Sequence, residues 1–552
     1  MRSVQPKPTA DRPERSHPQA SLLLGGDLPD PGLASLAQAL PRAARRHQDR
    51  AICLIAEDGS ESWMTYAQLL DEAARFLTGL REAGAVTGEH IVLHLGAERE
   101  LLAAFWACIL GGFIPVPVSA QLDGAAVQEV RQLLHQPRVL TDQDTGGQDP
   151  DPGARPRPAW RGVVDQLLRQ HAAPVHKEAA HLSDTALLVL TAGSTGTPKA
   201  VALSHANIIS RSHGTALANG LGRASVTFNW MPLDHVSGLI MFHVRDVLAC
   251  ATQIHARKAW VLADPLRWLD TVDRHRVDTT WAANSAFEQL TASLALAKDR
   301  SWDLRCLRYV MNGGAPVRPR TVRSVVTALS AHGMPDDAMR PGWGMSETSS
   351  GVVDHRMDLS SVDDSDRYVP VGKPHPGVEV RVVDDSDQVL PTGNLGHLQV
   401  RGTPVFSGYV NSPTLNKQSF TGDGWFRTGD MAVVHAGALT VTGSADDLIT
   451  QGGRSCQGHE IEAEVGGLTF VQDGTAAACT LPGGELAVFC SLTQDTDAQE
   501  SSERIRQLVR DRFGMDVTHV VPMDRDAIPR TPTGKPKRAA LRASFAARRR
   551  TA

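Results

Sequence analysis

An alternation of helix-like and strand-like segments near the N-terminus constrains the fold of this chain more than any other feature. Residues 66–83 place apolar side chains at helical spacing on one face, and Gly84 follows as a stop signal. A strand pattern at 90–95, a second helix pattern at 98–109 and a short strand pattern at 114–118 come next. Such alternation is typical of βα units around a largely parallel sheet, so we predict an α/β fold.

Length and texture divide the chain into three parts. A chain of 552 residues is too long for one ordinary hydrophobic core. Residues 1–21 are rich in Pro, Arg and Ser and predict a disordered leader. Residues 22–443 predict a large N-terminal domain of βαβ-type sheets, with a small β-barrel where short strand patterns and turn signals run from about 376 to 442. Residues 444–552 predict a small α+β C-terminal domain that ends in the basic helix 538–550.

The composition argues against several classes of partner. A formal net charge of -5 with 21% charged residues gives no reason to expect nucleic acid or an anionic membrane. The sequence has no apolar run of about 18 residues, and its first residues lack the apolar core of a signal peptide. The seven cysteines are odd in number and form no CxxC pair, which favours buried thiols in a reducing cytosol over a zinc site. We therefore predict a cytoplasmic protein.

A strand pattern at 185–190 runs into a stretch suited to phosphate contact. Glycine lets backbone N–H groups approach a phosphate closely, and hydroxyl groups and a lysine add donors and positive charge. The residues concerned are Thr191, Gly193, Ser194, Thr195, Gly196 and Lys199. The stretch is not a Walker A loop, because Pro198 stands where that motif has its second glycine. Taken alone, it is also compatible with an ordinary surface turn.

Five further motifs follow this stretch in order. They are Trp230-Met-Pro-Leu-Asp-His235, Asn312-Gly-Gly-Ala-Pro316, Gly342-Trp-Gly-Met-Ser-Glu-Thr348, Gly424-Trp-Phe-Arg-Thr-Gly-Asp430 and Arg530-Thr-Pro-Thr-Gly-Lys535. Together with residues 191–199 they resemble, over nearly the whole chain, the signature motifs of the adenylate-forming superfamily. Its members are acyl-CoA synthetases, peptide-synthetase adenylation domains, fatty acyl-AMP ligases and luciferases. The amino-acid sequences of 230–255 and 343–353 most resemble those of adenylation domains associated with polyketide and nonribosomal peptide assembly in secondary metabolism.

The resemblance implies ATP and Mg²⁺ as cofactors and assigns roles to individual residues. The stretch 191–199 would handle the β- and γ-phosphates. Trp343 offers an aromatic face for the purine, and the carboxylate of Asp430 suits both ribose hydroxyls. Glu347 would hold Mg²⁺ through oxygen, while Ser346 would donate to the α-phosphate where the family has threonine. The nucleotide site is completed by Gly313, Gly314, Ala315 and Gly344.

The same resemblance places the acyl pocket around His235, Val236, Ser237, Gly238 and Met345. A pocket-wall histidine explains His235 as well as a catalytic role does. Amino-acid-activating members usually carry an aspartate directly after this histidine position, where Val236 stands here. A buried ammonium without a counter-charge is costly, which favours a carboxylic acid without an amino group. Asp234 remains open as a substitute for the missing aspartate.

Lys535 is the predicted catalytic lysine. Its ammonium, placed between the incoming carboxylate and the α-phosphate, would stabilise the charge that develops in the transition state. The resemblance implies that a mobile C-terminal domain delivers Lys535 and then rotates about Asp446. The acyl group would then pass to the phosphopantetheine thiol of a carrier protein, with free CoA as the alternative acceptor. Ser444 and Thr450 replace the family's usual arginine and lysine, which leaves a non-catalytic binding protein as a third alternative.

Overall fold

A nine-stranded mixed sheet is the largest element of the structure. The structure is a computed structural model that describes residues 19–47, 49, 51–142, 159–160, 180–192, 198–362, 366–472, 474–493, 497–530 and 536–551. From edge to edge the strands are Lys373–Pro374, Ser350–Asp354, Met339–Met345, Tyr309–Asn312, Thr279–Ala282, Val226–Asn229, Thr252–Ala256, Ile52–Ile55 and Glu61–Met64. The run from Met339–Met345 to Ile52–Ile55 is parallel throughout. The carboxyl ends of these strands therefore meet at one edge.

Helices connect the parallel strands and cover the sheets. They are Ala39–Arg46, Tyr66–Glu82, Glu98–Gly111, Gly124–Leu133, His205–Asn219, Arg245–Ala249, Lys258–Ala263, Leu266–His275, Asn284–Leu296 and Pro319–Ser330. The helix Tyr66–Glu82 begins at a capping box in which Thr65 and Gln68 satisfy each other's backbone N–H groups. The helix Glu98–Gly111 ends at Gly112, whose φ of 69° suits glycine. Both helices match the predicted ones to within two residues.

A second parallel sheet and a hairpin lie beside the large sheet. The parallel sheet has the order Ile114–Pro117, His90–His94, Arg138–Thr141 and Ala159–Trp160. The hairpin pairs Thr185–Ala192 with Pro198–Ser204 in antiparallel register. Apolar residues of the hairpin pack into the cluster that also contains Val92, Val116 and Val139 of the parallel sheet. The predicted α/β class is thereby confirmed.

The region predicted as a small β-barrel is a five-stranded antiparallel sheet. Its strands are Leu22–Leu24, Val378–Val383, Gly396–Gly402, Phe426–His435 and Ala438–Ser444, and the helix Pro413–Ser419 lies in one of its connections. Ala20 and Ser21 were assigned to the leader, but Ala20 bridges Pro391 and Ser21 is fully buried. Ala20 and Ser21 are therefore part of the fold, and the rest of the predicted leader, residues 1–18, lies outside the described residues.

The C-terminal region has its own sheet and its own hydrophobic clusters. A hairpin, Leu448–Gln451 with Arg454–Gln457, leads into the helix Gly458–Gly466. A mixed sheet follows, with the strands Ala477–Thr480, Leu486–Cys490 and Val517–Pro522. Two further helices belong to this region, Ala498–Phe513 and Arg538–Thr551. Their buried side chains form two clusters that contain no residue before Ile449. The region has the predicted mixture of helices and strands of an α+β fold. The domain boundary at 443/444 stays a prediction.

Two findings bear on the expectations from composition. Among the described residues, no helix is both long and apolar enough to cross a bilayer. All seven cysteines lie in the described part of the chain and are free, and six of them are buried. Burial raises the pKa of Cys108 and Cys53, the latter to about 12, so these thiols stay protonated.

A buried polar network joins the helices to the large sheet. Trp106 donates its indole N–H to Nε2 of His243 (2.8 Å), so the proton of His243 sits on Nδ1 and is donated to Oε1 of Gln253 (2.7 Å). His255 donates from Nε2 to the same oxygen (2.7 Å), and Gln253 in turn donates to the Tyr66 hydroxyl (2.8 Å). Burial lowers the pKa of His243 to about 4 and holds the pKa of His255 well below its ordinary value, so both rings are neutral.

Gln253→Met should destabilise the protein because it leaves the buried N–H groups of His243 and His255 without a hydrogen-bond acceptor. Each unsatisfied buried donor costs about 1–3 kcal/mol, so the free energy of unfolding should fall by about 2–6 kcal/mol. Denaturant unfolding followed by tryptophan fluorescence measures the change. The matched control is Gln507→Met on the exposed face of the helix Ala498–Phe513, where a surface substitution changes stability by about 0.5 kcal/mol or less. Equal stability of the two variants would contradict the prediction.

Candidate active site

The carboxyl edge of the parallel strands presents Glu347. The strand Met339–Met345 ends in a 3-10 turn, Ser346–Thr348, in which Thr348 Oγ1 accepts from the backbone N–H of Met345 (3.0 Å). A bulge between Trp343 and Gly344 brings the chain against the next strand, and a Cβ at Gly344 would overlap the Ser350 carbonyl oxygen. Glycine is therefore required at Gly344, and the turn fixes Ser346 and Glu347 at the strand end.

Tyr409 holds the carboxyl group of Glu347. Its hydroxyl donates to Oε1 of Glu347 (2.8 Å), and the backbone N–H of Phe406 donates to the Glu347 carbonyl oxygen (2.8 Å). The residue Glu347 is 6% exposed, and burial raises the pKa of its carboxyl group, whereas the Tyr409 hydrogen bond and the nearby Lys199 act in the opposite direction. Tyr409 was not among the predicted residues. The sequence places it 62 residues after Glu347 without a motif around it.

Lys199 reaches the same place from the hairpin. Its ammonium lies 5.3 Å from the centre of the Tyr409 ring, a cation–π distance. An isolated bridge pairs Val201 with Tyr409, and the backbone N–H of Val410 donates to the Ala200 carbonyl oxygen (2.9 Å). The hairpin is thus fixed beside Tyr409, and one cation faces one buried carboxylate.

The described residues of the predicted phosphate stretch belong to this hairpin. We predicted a loop over 191–199, but Thr191 and Lys199 lie in the two strands and pair with each other. The connecting residues Gly193, Ser194, Thr195 and Gly196 lie outside the described residues, and so does Lys535. Their assigned roles stay predictions. Their pairing in the two antiparallel strands nevertheless keeps Thr191 and Lys199 side by side.

Trp343 and Asp430 are in direct contact. The indole N–H of Trp343 donates to Oδ2 of Asp430 (2.9 Å), and Asp430 raises the pKa of Glu347 through its charge. Trp343 itself is buried, with 8% of its surface exposed. Asp430 pairs with Ser444 at the end of the five-stranded sheet, where the predicted C-terminal domain begins. The predicted purine, ribose and metal residues therefore lie together.

The predicted adenine turn packs against the same strand. Gly314 has a φ of 79°, which favours glycine, and a Cβ on Gly313 would lie 2.9 Å from the Gly342 carbonyl oxygen. Ala315 follows and is half-buried. The Trp281 ring lies 3.4 Å from where a Gly314 Cβ would be. Trp281 was also missed, because a tryptophan in an apolar strand pattern is ordinarily read as core.

His235 is a structural cap in this structure. Its Nδ1 accepts from the backbone N–H of Ser237 (3.2 Å) and lies 2.8 Å from the Ser237 hydroxyl, so His235 caps the short helix Val236–Gly238. Burial lowers the pKa of His235 to about 4, which keeps the ring neutral. A Cβ on Gly238 would overlap the Pro232 carbonyl oxygen. Val236 is buried in the main hydrophobic cluster, and Met345 packs against that cluster.

Asp234 has partners of its own. It accepts a hydrogen bond from Ser119, which follows the strand Ile114–Pro117, and burial raises its pKa. Burial also raises the pKa of Glu98 to about 7, and the charge of Asp234 adds to this shift. Ser119 thus contacts the Asp234 carboxyl group, whereas Glu98 of the helix Glu98–Gly111 is a like-charged neighbour.

A single acidic residue suits the metal that the resemblance implies. The described residues contain no cluster of three or more His, Cys, Asp or Glu side chains with metal-binding geometry. Mg²⁺ keeps several water ligands and is commonly bound by one or two carboxylates together with substrate phosphates. One buried glutamate beside the hairpin that is predicted to bind phosphate fits that pattern.

Comparison with known proteins relates the chain to a family of enzymes. The family model described as AMP-binding enzyme matches residues 40–410. The nonribosomal peptide synthetase apvA of Aspergillus terreus is 31% identical over 541 residues, which cover 93% of this chain but 58% of that protein. The chain thus spans little more than half of that curated relative.

Two solved structures are similar at 30% identity. The McyG A-PCP structure complexed with phenylalanyl-adenylate has a TM-score of 0.88, with 95% of this chain and 85% of that chain covered. An adenylation domain of a keto acid-selecting NRPS module, bound to keto acyl adenylate, has a TM-score of 0.73, with 91% and 96% covered. Each likeness extends over at least 91% of this chain.

Proposed function

The chain belongs to the AMP-binding enzyme family, and we propose that it activates a carboxylic acid without an α-amino group as an acyl-adenylate. One observation carries the proposal: Lys199, Glu347, Trp343 and Asp430 come from four different strands or turns and converge on one edge of the sheet. This set can hold a triphosphate, a divalent cation, a purine and a ribose together.

The first step is a displacement at phosphorus. A carboxylate oxygen of the substrate attacks the α-phosphate of ATP, forming a new O–P bond, while the bond to the β-phosphate breaks and pyrophosphate leaves. Thr191 and Lys199 bind the departing phosphates, and Trp343 and Asp430 hold the nucleoside. Mg²⁺, when bound by Glu347, neutralises phosphate charge. Ser346 donates to the α-phosphate, and Lys535 stabilises its transition-state charge.

The pocket residues support the substrate class. Val236 is buried and apolar at the position where a substrate ammonium would need a carboxylate. Asp234 already accepts a hydrogen bond from Ser119. An unpaired buried ammonium would be strongly disfavoured. The similar adenylation domain with a bound keto acyl adenylate makes an α-keto acid the first candidate to test.

The second step is transfer to a thiol. A thiolate attacks the carbonyl carbon of the mixed anhydride, a thioester forms, and AMP leaves with the bonding electrons. The phosphopantetheine arm of a carrier protein is the proposed acceptor, and the similar structure of an adenylation domain together with a PCP supports this choice. Free CoA is the alternative acceptor.

Pyrophosphate exchange with a panel of acids tests the activation step. The panel pairs each α-amino acid with the α-keto and α-hydroxy acid of the same side chain, and adds fatty and aryl acids. We expect exchange with at least one acid that lacks an amino group and none with its amino counterpart. A preference for amino acids would refute the substrate class, and no exchange with any acid would refute the activity.

The acceptor is tested by offering CoA and phosphopantetheinylated carrier proteins in parallel, with the acid selected from the panel. Thioester formation on a carrier at a higher kcat/KM than on CoA supports the proposed acceptor. The reverse order would identify a CoA ligase.

Tyr409→Phe should move the acid limb of the pH–rate profile to higher pH. The Tyr409 hydroxyl lowers the pKa of Glu347, so its removal raises a pKa that burial has already raised. Metal binding needs the ionised carboxylate, and activity should therefore disappear at a higher pH as the solution is acidified, while the plateau at high pH is largely kept. The control is Tyr309→Phe, which removes a hydrogen bond to buried Asp354 (2.7 Å) outside the site. A shared shift of the limb in both variants would contradict the prediction.

A further inference from the structure

Arg538 joins the predicted hinge to the body of the C-terminal region. Its guanidinium group donates from Nη1 to Oδ2 of Asp447 (2.6 Å), from Nη2 to Oε1 of Glu462 (2.8 Å) and from Nε to the Ala478 carbonyl oxygen (3.0 Å). The residue is 8% exposed. A buried guanidinium with three anchored nitrogens has little freedom, since each move would break a charge-assisted hydrogen bond.

The three partners of Arg538 belong to different parts of the region. Asp447 ends the 3-10 turn Ala445–Asp447, Glu462 lies in the helix Gly458–Gly466, and Ala478 lies in the strand Ala477–Thr480. Glu462 also accepts from the backbone N–H of Ala478 (2.8 Å), which ties the helix to the sheet. Arg538 extends this unit to Asp447.

A second arginine of the same helix holds the preceding residue. Arg542 donates from Nη2 to the carbonyl oxygen of Asp446 (3.1 Å), one turn further along the helix Arg538–Thr551. The peptide unit after Asp446 is therefore fixed to the C-terminal helix as well. The turn itself is soft, because a single 3-10 turn contributes few backbone hydrogen bonds.

The other side of the hinge is fixed to the N-terminal region. Ser444 pairs with Asp430, and Met431 pairs with Gly443, at the end of the five-stranded sheet. Ala445 lies between Ser444 and the Asp446 carbonyl, and its own carbonyl oxygen accepts a local hydrogen bond from the Leu448 N–H at the end of the same turn.

We infer that Arg538 is a positioning residue that makes Asp446 and Asp447 move with the C-terminal region, so that rotation is confined to the backbone between Ser444 and Asp446. The inference rests on the proposed two-step function. Arg538 also follows the base of the segment that carries Lys535, where Arg530 bridges Pro536 and the Lys537 N–H donates to the Pro529 carbonyl oxygen (2.8 Å). A rotation at Ala445 is thus passed through Arg538, together with Arg542, to the base of the lysine segment.

Asp447→Asn tests the inference against Glu462→Gln. Both changes are isosteric and remove one carboxylate partner of Arg538, but the Asp447 change releases the hinge and the Glu462 change affects contacts within the C-terminal region. If Arg538 is purely structural, both variants should lose stability. In each variant adenylation and thioester formation should then slow by the same factor. Our inference predicts that Asp447→Asn alone changes the ratio of the adenylation rate to the thioester-forming rate, by about tenfold for the loss of one charge-assisted bond.

Single-turnover rates of adenylate formation, and of thioester formation from preformed adenylate, give this ratio. Amide hydrogen exchange of residues 445–448 in the ligand-free full chain gives a readout that needs no activity. Faster exchange and a changed ratio in Asp447→Asn, with neither in Glu462→Gln, support the inference. Equal exchange in the two variants overturns it even if the wild type proves inactive, and an inactive wild type by itself refutes the proposed function. Asp447→Glu should restore the wild-type ratio at least in part, because a carboxylate is again offered to Arg538.

Discussion

Lys535→Ala should lower the rate of adenylate formation by about 10²–10³-fold, the usual loss when one preorganised donor to a developing charge is removed. Thioester formation from preformed adenylate should be nearly unchanged, because the phosphorus centre is no longer attacked in that step. The measurement is pyrophosphate exchange for the first step and single-turnover transfer from purified adenylate for the second. Binding of ATP should be kept, since the substitution leaves unchanged Lys199, Trp343 and Asp430, the residues that we propose hold the triphosphate and the nucleoside.

The control for this prediction is Lys537→Ala. Lys537 lies two residues further along, and its side chain is exposed. The two substitutions remove the same charge from the same stretch, so an effect of net charge or of local backbone would appear in both. Loss of exchange in both variants, or unchanged exchange in Lys535→Ala, would contradict the assignment of Lys535 as the catalytic lysine.

The sequence predicts the elements of the fold well because their signals are local. Helical spacing in 66–83 and the capping residues Thr65 and Gln68 act within a few residues of the helix end, so the boundary is found to within one residue. The order of the strands in the sheet could not be predicted in this way, because it depends on contacts between distant segments. The strand Ile52–Ile55 pairs with Thr252–Ala256, about two hundred residues away, and no local pattern in either strand names its partner.

The same distinction explains which site residues could be predicted. Glu347, Trp343 and Asp430 stand in motifs whose glycines are needed for local geometry, and the resemblance to a known family supplied their roles. Tyr409 acts on Glu347 through a contact between distant segments, and it carries no motif of its own. Arg538 lies 91 residues from Asp447, so its link to the hinge becomes visible only when the chain is folded.

Glu347→Gln should be the second variant with a large effect. The amide keeps the size of the side chain and an oxygen that can accept from Tyr409, but it removes the negative charge that would hold Mg²⁺. We expect kcat/KM for MgATP to fall by about 10²–10³-fold, in line with the loss of one preorganised electrostatic group. The matched control is Glu98→Gln, because burial also raises the pKa of Glu98, to about 7, and Glu98 lies outside the nucleotide residues.

The stability of Glu347→Gln should move in the opposite direction to its activity. A carboxyl group whose folded-state pKa is raised stabilises the fold when protonated, and this contribution is lost as pH rises through the folded-state pKa. At pH 8 the ionised Glu347 therefore weakens the fold, and the variant should have a higher Tm than the wild type. The difference should shrink as the solution is acidified, because the wild-type carboxyl then takes up a proton. A lower Tm for the variant at pH 8 would show that Lys199 and Tyr409 compensate the buried charge fully, and Glu347 would then cost the fold nothing in exchange for its role at the metal.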